Sequence, residues 1–523
     1  MSALAYIRRE SLDIYNRIQS IGADIAFVNQ VRAAYPALPL IPNLRCGAWY
    51  TDPSIADPGT HAYFKSTDGH HGNWSFNLRR PNLHLLPVAA AHGGIILVDS
   101  TRAGKRLPDA LSKTVPIWCA VVNRAMRLRR GELDAASDSK EAPTAWLWDG
   151  DLRTPPGIVG AHEHAQIAAQ LDGWAASLAD SSYALPTLDR PLRPLWVTPA
   201  SSRFPHIAPD AAFLPVICVS ASCAIDAVDG RSSEGVGLVG LGRRAGGFSY
   251  VQGSGDDHEL WGQGLTPAVF WQNRAELLAC PRAQLETLVA QLVAEMPRDT
   301  VPSHGGADGG GPPGAWRSTP VPVTKVGGRV LLCSLADLPR DLQAILPGPS
   351  GTPEEAAFVI VDDSESDVPP DDTDARCPAP TSSNGADAPS DAAPGDPPSS
   401  RVLRVRLPPG KRGQHVFLHE VLPSVTSFAS THLSPGRAIC VAGGDAGVGV
   451  ALVLLQLFFD DAGKPCRAQG DAAPSKNSVR TRLEWVIASR PQTNPSRAIL
   501  KRVNDFLLSP RSHRGEAEAG ATI

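Results

Sequence analysis

Short apolar runs alternate with segments of helical periodicity along most of this chain, and this alternation most restricts the folds open to it. Each run is bounded by glycine or polar residues, as a buried strand is. The clearest runs are GGIILVDS (93–100), LWVTP (195–199) and LPVICVSAS (214–222). Isoleucine and valine recur at helical spacing before them, so we expect a helix over residues 3–34 that ends before Pro36. Residues 282–297 are predicted to form another helix. Strands that alternate with helices predict an α/β fold.

Two stretches of low complexity divide the 523 residues. The first, PSHGGADGGGPPGAWRS, has the composition of a linker. It predicts an N-terminal domain over residues 1–301, a linker over 302–319, a second domain over 320–511 and a flexible tail over 512–523. The second stretch, residues 363–400, is rich in Asp, Pro, Ala and Ser and is too poor in apolar side chains to form a core. We therefore predict a disordered insertion inside the second domain.

The α/β pattern continues on both sides of that insertion. The expected strands cover residues 327–334, 356–363, 401–407 and 437–442. The expected helices cover residues 335–346, 414–429, 447–459, 477–489 and 495–508. The second domain is therefore also predicted to be α/β.

Nothing in the sequence predicts a membrane segment or export. The first residues carry charges throughout and lack the apolar core of a signal peptide, and no run of about 18 apolar residues is present. The nine cysteines show no CxxC spacing, which favours a reducing compartment. We expect a cytoplasmic protein.

Basic residues are concentrated in three segments, 102–130, 401–412 and 475–503, although the net charge is −4. Residues 363–400 are the most acidic stretch, with nine acids against one arginine. One basic cluster alone is typical of a solvated helix face, but three favour a polyanionic partner such as nucleic acid. The side chains expected to contact RNA are Lys411, Arg412, Lys476, Arg480 and Arg482.

Two polar loops carry the side chains that suit phosphate binding and proton transfer. One is FKSTDGHHGNWSFNLRRPNLHLL (64–86), which is equally consistent with a capped turn at STDG. The other follows the strand that ends at Asp99, and such strand ends are where open α/β sheets bind ligands. The candidate phosphate-binding residues are Lys65, Ser66, Arg102, Gly104, Lys105, Arg106 and Lys113. The candidate proton acceptors are Asp68, His70 and Asp99.

The segment RAICVAGGDAGVG (437–449) has the form of a cysteine-phosphatase loop, a cysteine on an apolar strand before a glycine-rich turn. Ala446 occupies the position, six residues after the cysteine, where a phosphatase has arginine. The turn therefore predicts an anion site without phosphatase chemistry, and Cys440 fits a buried strand position better than a nucleophile. Its residues are Cys440, Gly443, Gly444, Asp445 and Gly447.

Nearly the whole chain resembles the initiator-tRNA phosphoribosyltransferases of fungi and plants. The most specific blocks are YFKSTDGHHGNWSFNLRRPNLHL, GGIILVDSTRAGKRLPDALSKTVPIWCAVVNR, YVQGSGDDHELWGQGLTP and SVRTRLEWVIASRPQTNPSRAILKRVNDFL. The resemblance implies a unique N-terminal α/β domain and a C-terminal α/β domain like the dual-specificity phosphatases. It also implies transfer of ribose-5-phosphate from phosphoribosyl diphosphate (PRPP) to a ribose 2′-hydroxyl. The acceptor would be the T-stem purine at position 64 of initiator methionine tRNA, which is thereby excluded from elongation.

That reaction needs a base for the 2′-hydroxyl and positive charge for the departing diphosphate. We expect Asp99, or else Asp68 or His70, to be the base, and Mg²⁺ with the basic residues above to neutralise the diphosphate. Asp256 and Asp257 either approach that Mg²⁺ or form an ordinary acidic loop. Asp109 and Lys113 either orient the site or cap a helix. Two alternatives stay open, an inactive phosphatase-like RNA-binding protein and a phosphatase that uses Cys440.

Overall fold

The structure is a computed structural model, and it forms two compact units, Met1–Arg298 and Asp299–Ile523. It describes residues 3–44, 46–57, 59–102, 104–136, 149–224, 244–245, 247–295, 319–338, 346–347, 353–354, 356–362, 401–433, 437–466 and 474–509. The predicted domain boundary at residue 301, the linker, the 363–400 insertion and the 512–523 tail lie outside the described residues. None of the described helices has the length and apolar character needed to cross a bilayer.

The first unit contains a four-stranded, wholly parallel sheet in the order β1-β2-β4-β3. Its strands are β1 Leu40–Pro42, β2 Ile95–Asp99, β3 Leu192–Val197 and β4 Leu214–Ser220. Two further strands of two residues each, β5 Arg244–Ala245 and β6 Phe248–Ser249, form a separate antiparallel pair. Every residue of β2 and of β4 is buried, as expected for strands covered on both faces by helices. The apolar runs at 93–100, 195–199 and 214–222 are confirmed as strands.

Helices surround this sheet. They are α1 Ala3–Leu12, α2 Ile14–Ala34, α3 Gly47–Tyr50, α4 Leu85–His92, α5 Val115–Ala136, α6 Ala161–Ala168, α7 Leu171–Ala179, α8 Pro267–Gln272, α9 Arg274–Ala279 and α10 Arg282–Glu295. The single helix expected over 3–34 is wrong in one respect. It is interrupted at Asp13, whose side chain accepts a hydrogen bond from the amide of Asn16 and so starts a new helix.

The second unit has a five-stranded sheet in the order β12-β11-β13-β8-β7, parallel except for β7. The strands are β7 Val321–Pro322, β8 Val330–Cys333, the short pair β9 Leu346–Pro347 and β10 Pro353–Glu354, then β11 Ala356–Asp362, β12 Val402–Arg406 and β13 Ala438–Gly443. The helices are α11 Gly410–Val416, α12 Leu422–His432, α13 Asp445–Phe458, α14 Lys476–Ser489 and α15 Arg497–Leu508. The α/β class is therefore confirmed for both units.

Two predicted helices of this unit need correction. The helix expected over 335–346 begins as a short 3₁₀ turn, Leu335–Asp337, and residues 339–345 are not described. The helix expected over 414–429 begins earlier, at Gly410, and passes through the π-helical turn Phe417–Val421 before α12.

Candidate functional site

Polar side chains follow the strands of the first sheet at its carboxyl edge. Asn43 follows β1, Asp99 ends β2, and Ser222 lies just beyond β4. Parallel strands bring these ends to one edge, where open α/β sheets bind ligands. Asn43 was missed by sequence reasoning because β1 has only three residues, too few to show a periodic pattern.

Asp99 is the buried acid of this edge. One carboxylate oxygen accepts a hydrogen bond from Asn43 Nδ2 and the other accepts one from the amide of Ser100, each at 2.8 Å. Burial raises the pKa of Asp99 to about 7, against the lowering effect of these two bonds, and the charge of Asp256 raises it further. A carboxyl group with a pKa near neutrality can accept and return a proton at neutral pH, as a general base must.

Asn43 also attaches the 64–70 loop to this edge. Its side chain accepts from the amide of Phe64 and donates to the carbonyl of Phe64, both at 2.9 Å. The loop that begins with the exposed Lys65 therefore starts beside the Asp99 carboxylate. The predicted sites on these two segments are brought together by one amide side chain.

An ion-pair cluster centred on Asp109 lies next along the loop that follows β2. Its carboxylate pairs with Lys105 at 2.6 Å and with Lys113 at 3.0 Å, and His70 Nε2 lies 3.7 Å away. Burial works to raise the pKa of Asp109, but the hydrogen bonds and charges of the two lysines outweigh it and lower the pKa. Asp109 makes no capping hydrogen bond, so the helix-cap interpretation is wrong.

Lys113 is largely buried and is held by a second acid, Glu163 of α6, at 3.2 Å. Glu163 also accepts from the indole of Trp74, and the lysine lowers its pKa against the effect of burial. Lys113 therefore connects two acids, whereas the side chain of Lys105 is 42% exposed and can reach a ligand.

Asp68 is occupied by another partner. Arg80 donates to both of its oxygens, at 2.9 and 3.2 Å, and both side chains are only 13% exposed. Both bonds come from one guanidinium nitrogen, Nη2, and this charged contact holds the carboxylate in place. This arrangement favours a structural role for Asp68 and leaves Asp99 as the better candidate base.

The remaining candidates of the first unit surround this edge. Arg102, Gly104 and Arg106 are exposed on the loop after β2. The hydroxyl of Ser66 accepts, at 3.4 Å, from the amide of Ala110 and so connects the 64–70 loop to the turn that contains Lys113. Exposed cations thus lie around a buried carboxyl group.

A glycine-rich loop, residues 250–258, closes one side of the edge. Gly253 has φ +70°, and a Cβ there would lie 2.6 Å from the carbonyl oxygen of Thr101, so only glycine allows this approach. Gln252 donates to the carbonyl of Lys105 at 2.7 Å, and Arg17 of α2 donates to the carbonyl of Asp256 at 3.1 Å. The loop is therefore held from two sides.

Asp256 and Asp257, the predicted metal ligands, lie on this loop. The Asp256 carboxylate accepts from the Cys46 thiol at 3.5 Å, and Asp257 adopts a left-handed conformation with φ +46°. Among the described side chains, no group of three or more His, Cys, Asp or Glu residues forms a metal site. The Mg²⁺ prediction stays a prediction.

The phosphatase-like turn of the second unit lies between β13 and α13. Cys440 is fully buried with its sulfur 3.6 Å from that of Cys333, and the hydrogen bond between the two cysteines together with burial raises the pKa of Cys440 well above its ordinary value. Such a thiol is protonated and inert. Asp445 accepts from the amide of Ser496 at 2.8 Å and so connects Gly443, Gly444 and Gly447 to the start of α15.

The predicted RNA-contacting residues separate into two groups. Lys411, Arg412, Lys476 and Arg480 are exposed, and Arg480 pairs with Glu484 at 3.4 Å. Arg482 is a correction, because its side chain is only 2% exposed. It donates to the carbonyls of Leu455 and Phe459, and it cannot contact RNA from that position.

Comparison with known proteins covers both units. The family profile described as the Rit1 N-terminal domain matches residues 7–294, and the profile described as the Rit1 DUSP-like domain matches residues 401–507. A Schizosaccharomyces pombe protein described as uncharacterized is 32% identical over 526 residues, with 97% of each chain covered. The tRNA A64-2′-O-ribosylphosphate transferase of Saccharomyces cerevisiae is 31% identical over 538 residues, with 96% of this chain and 93% of the relative covered. No solved structure gives a significant match.

Proposed function

Because the chain belongs to the Rit1 family, we propose that it is a pentosyltransferase that attaches ribosylphosphate to the 2′-oxygen of A64 in tRNA. The observation that carries this proposal is the 31% identity to a transferase of that name over 96% of this chain. It spans both units, so the likeness does not rest on a shared domain alone. The carboxyl edge of the first sheet has the groups that such a reaction requires.

PRPP is the donor that we propose. The bond that forms joins the tRNA 2′-oxygen to C1 of the donor ribose, and the bond that breaks joins C1 to the diphosphate. The proton of the 2′-hydroxyl passes to the carboxylate of Asp99. Each oxygen of this carboxylate accepts one hydrogen bond and has a second lone pair that can take the proton. Lys65, Lys105 and Arg102 are exposed around this carboxylate and would neutralise the departing diphosphate.

Mg²⁺ fits this arrangement as an ion carried by the donor. It usually takes one or two protein carboxylates and completes its shell with water and substrate phosphates. Asp256 is the carboxylate that we propose for this ion, because its charge acts on Asp99 and raises the pKa of that residue. When bound, the ion would withdraw charge from the diphosphate oxygens.

We propose initiator methionine tRNA as the acceptor and the cytoplasm as the compartment. The support is the resemblance of the 64–86 and 93–124 blocks to initiator-tRNA phosphoribosyltransferases. A bulky anionic group on the T-stem would keep that tRNA from elongation. Transfer to initiator tRNA, compared with transfer to elongator methionine tRNA under the same conditions, tests this part separately.

A basic groove in the second unit is our proposed contact for the tRNA backbone. Lys476 of α14 lines it together with Arg497 and Lys501 of α15, and its volume is about 610 Å³. Asp505 also lines the groove but is paired with Arg502 at 3.0 Å. A-form stems display phosphates and 2′-hydroxyls rather than base edges, so a groove of exposed cations suits them. Of the residues predicted to contact RNA, Lys476 lines this groove. Arg497 and Lys501 take the place of the buried Arg482 as proposed contacts.

The decisive experiment mixes the protein with labelled PRPP, Mg²⁺ and initiator tRNA. We expect label on the tRNA and release of diphosphate, with Asp99→Asn slowing transfer by about 10²–10⁴-fold, the usual contribution of a positioned base. Asp210→Asn is the matched control, because Asp210 is an exposed turn residue. Absence of transfer by the unaltered chain would refute the proposal, and full activity of Asp99→Asn would remove that residue from the reaction.

A further inference from the structure

A chain of buried hydroxyl groups connects Asp24, in the middle of α2, with the loops at the carboxyl edge. Ser222 Oγ lies 2.7 Å from Asp24 Oδ2 and 2.6 Å from Ser100 Oγ. On the other side, the hydroxyl of Tyr250 donates to Asp24 Oδ1 at 2.7 Å. Asp24 is 4% exposed, and its described partners include no cation.

When Asp24 is ionised, counting protons fixes the direction of the bonds that join Asp24, Ser222 and Ser100. A serine hydroxyl has one proton, and Ser222 gives it to the carboxylate, so Ser100 must donate to Ser222. The amide of Gly253 also donates to Ser222, at 3.1 Å. The Tyr50 oxygen accepts from the amide of Gly255 at 2.8 Å, and its hydrogen bond with Ser100 connects it to the same chain. The hydroxyl protons of Ser100, Ser222 and Tyr250 therefore point towards Asp24.

We propose that Asp24 is a positioning residue of the transferase site, the terminal acceptor that orients this hydroxyl chain and so holds Asp99 and the 250–258 loop in place. The inference rests on the proposed function. Ser100, which directly follows Asp99, donates its amide to the base and its hydroxyl to the chain. Gly253 and Gly255 attach the loop to the same hydroxyls. Linked hydrogen bonds of this kind strengthen one another in a dry interior.

Only an ionised Asp24 can accept both donors in this way. The titratable groups that face it are Tyr250 beyond β6 and Tyr50 on α3, while Cys223 beyond β4 presents its backbone amide. Arg17, on the same helix, is directed to the carbonyls of the 250–258 loop instead. Burial, against the hydrogen bonds from Tyr250 and Ser222, raises the pKa of Asp24 to about 7, the same value as for Asp99.

The test is the pH profile of kcat/KM for transfer, compared between the unaltered chain and Asp24→Asn. Two carboxylates must be ionised in the unaltered chain, so log kcat/KM should fall with a slope approaching 2 as pH drops below about 7. Asp24→Asn removes one ionisation and should give a slope of 1. It should also lower kcat by about 10²-fold, because its amide donates where Ser222 must donate.

Ser222→Ala provides a second variant, which cuts the chain but keeps the carboxylate. It should lower kcat similarly, and the double variant should cost little more than either change alone. If Asp24→Asn does not fold, Ser222→Ala and its non-additivity with Ser100→Ala decide the matter. If Asp24→Asn and Ser222→Ala each gave the kcat and the pH slope of the unaltered chain, the inference would be overturned while the proposed function stayed intact. Loss of transfer in the unaltered chain would count against the function itself.

Discussion

At the scale of single residues, the proposed transferase site contains two kinds of buried acid, those with a basic partner and those without one. Asp109 lies between two lysines and Asp68 lies against Arg80, and these pairings fix the loops. Asp24 and Asp99 instead accept only neutral donors. The first kind of acid holds the loops in place, whereas the second kind has a pKa of about 7 and can change its protonation state near neutral pH.

The burial of Asp99 has a consequence for stability that can be measured. Its pKa is about 7 in the folded chain and near its ordinary value of 3.8 when unfolded. Between these values the folded state binds more protons, so this group makes the free energy of unfolding fall as pH rises from about 4 to about 7. The upper bound of the loss is about 4 kcal/mol.

Asp99→Asn should remove this part of the pH dependence. We expect the difference in unfolding free energy between the variant and the unaltered chain to favour the variant more at about pH 8 than at about pH 5. Urea unfolding at each pH measures this difference. Asp210→Asn should show no such change. A constant difference between Asp99→Asn and the unaltered chain across that range would mean that Asp99 titrates normally.

At the scale of elements, strands were predictable wherever an apolar run is buried on both faces. The runs that became β2, β4 and β11 were recognised for this reason, whereas the three-residue β1 was not, and Asn43 was missed with it. Asp24 had a signal that could have been used, since it is an acid inside the apolar stripe of Ile21 and Val28 on α2. The hydroxyl chain itself joins residues almost 200 positions apart, and no local pattern shows that.

In helix α14, the position of a basic residue around the helix decides whether it is buried or exposed. Val479, Leu483 and Val486 mark its buried face at helical spacing, and Arg482 lies beside Leu483 on that face. Arg480 is two positions earlier and points to solvent. A count of charges along the sequence cannot separate the two arginines, but their helical phase does.

Arg482 should therefore act on stability. Its guanidinium donates to two backbone carbonyls at the end of α13, pairs with Asp461 at 2.8 Å and stacks 4.1 Å from the ring centre of Trp485. Arg482→Ala removes a charged donor from both carbonyls and the partner of Asp461, and should cost about 2–4 kcal/mol of unfolding free energy in urea. Arg480→Ala, on the exposed face, should cost less than about 0.5 kcal/mol. Equal costs would contradict the assignment of the two faces.

At the scale of the whole molecule, the likeness to a tRNA-modifying transferase covers both units, while the candidate chemistry lies on the first. The second unit keeps the strand, turn and helix of a phosphatase but has a buried, protonated cysteine in place of the nucleophile. What it offers to an RNA is its exposed charge. We therefore propose that the second unit binds the tRNA and that the first unit carries out group transfer.

The basic groove gives this division of labour its test. Lys476→Ala and Lys501→Ala each remove one exposed cation of the groove, so each should weaken tRNA binding and lower the slope of log K against log salt by about 0.7–0.9. The combined variant should lower the slope by about twice as much, because the number of counterions released is proportional to the number of phosphate contacts. Lys464→Ala, an exposed lysine on a turn of the same unit, is the matched control and should leave the slope unchanged. Binding should be measured by filter retention at several salt concentrations, together with transfer at saturating tRNA. Reduced affinity with normal transfer at saturation is the expected pattern, and an unchanged slope in the double variant would remove the groove from the tRNA interface.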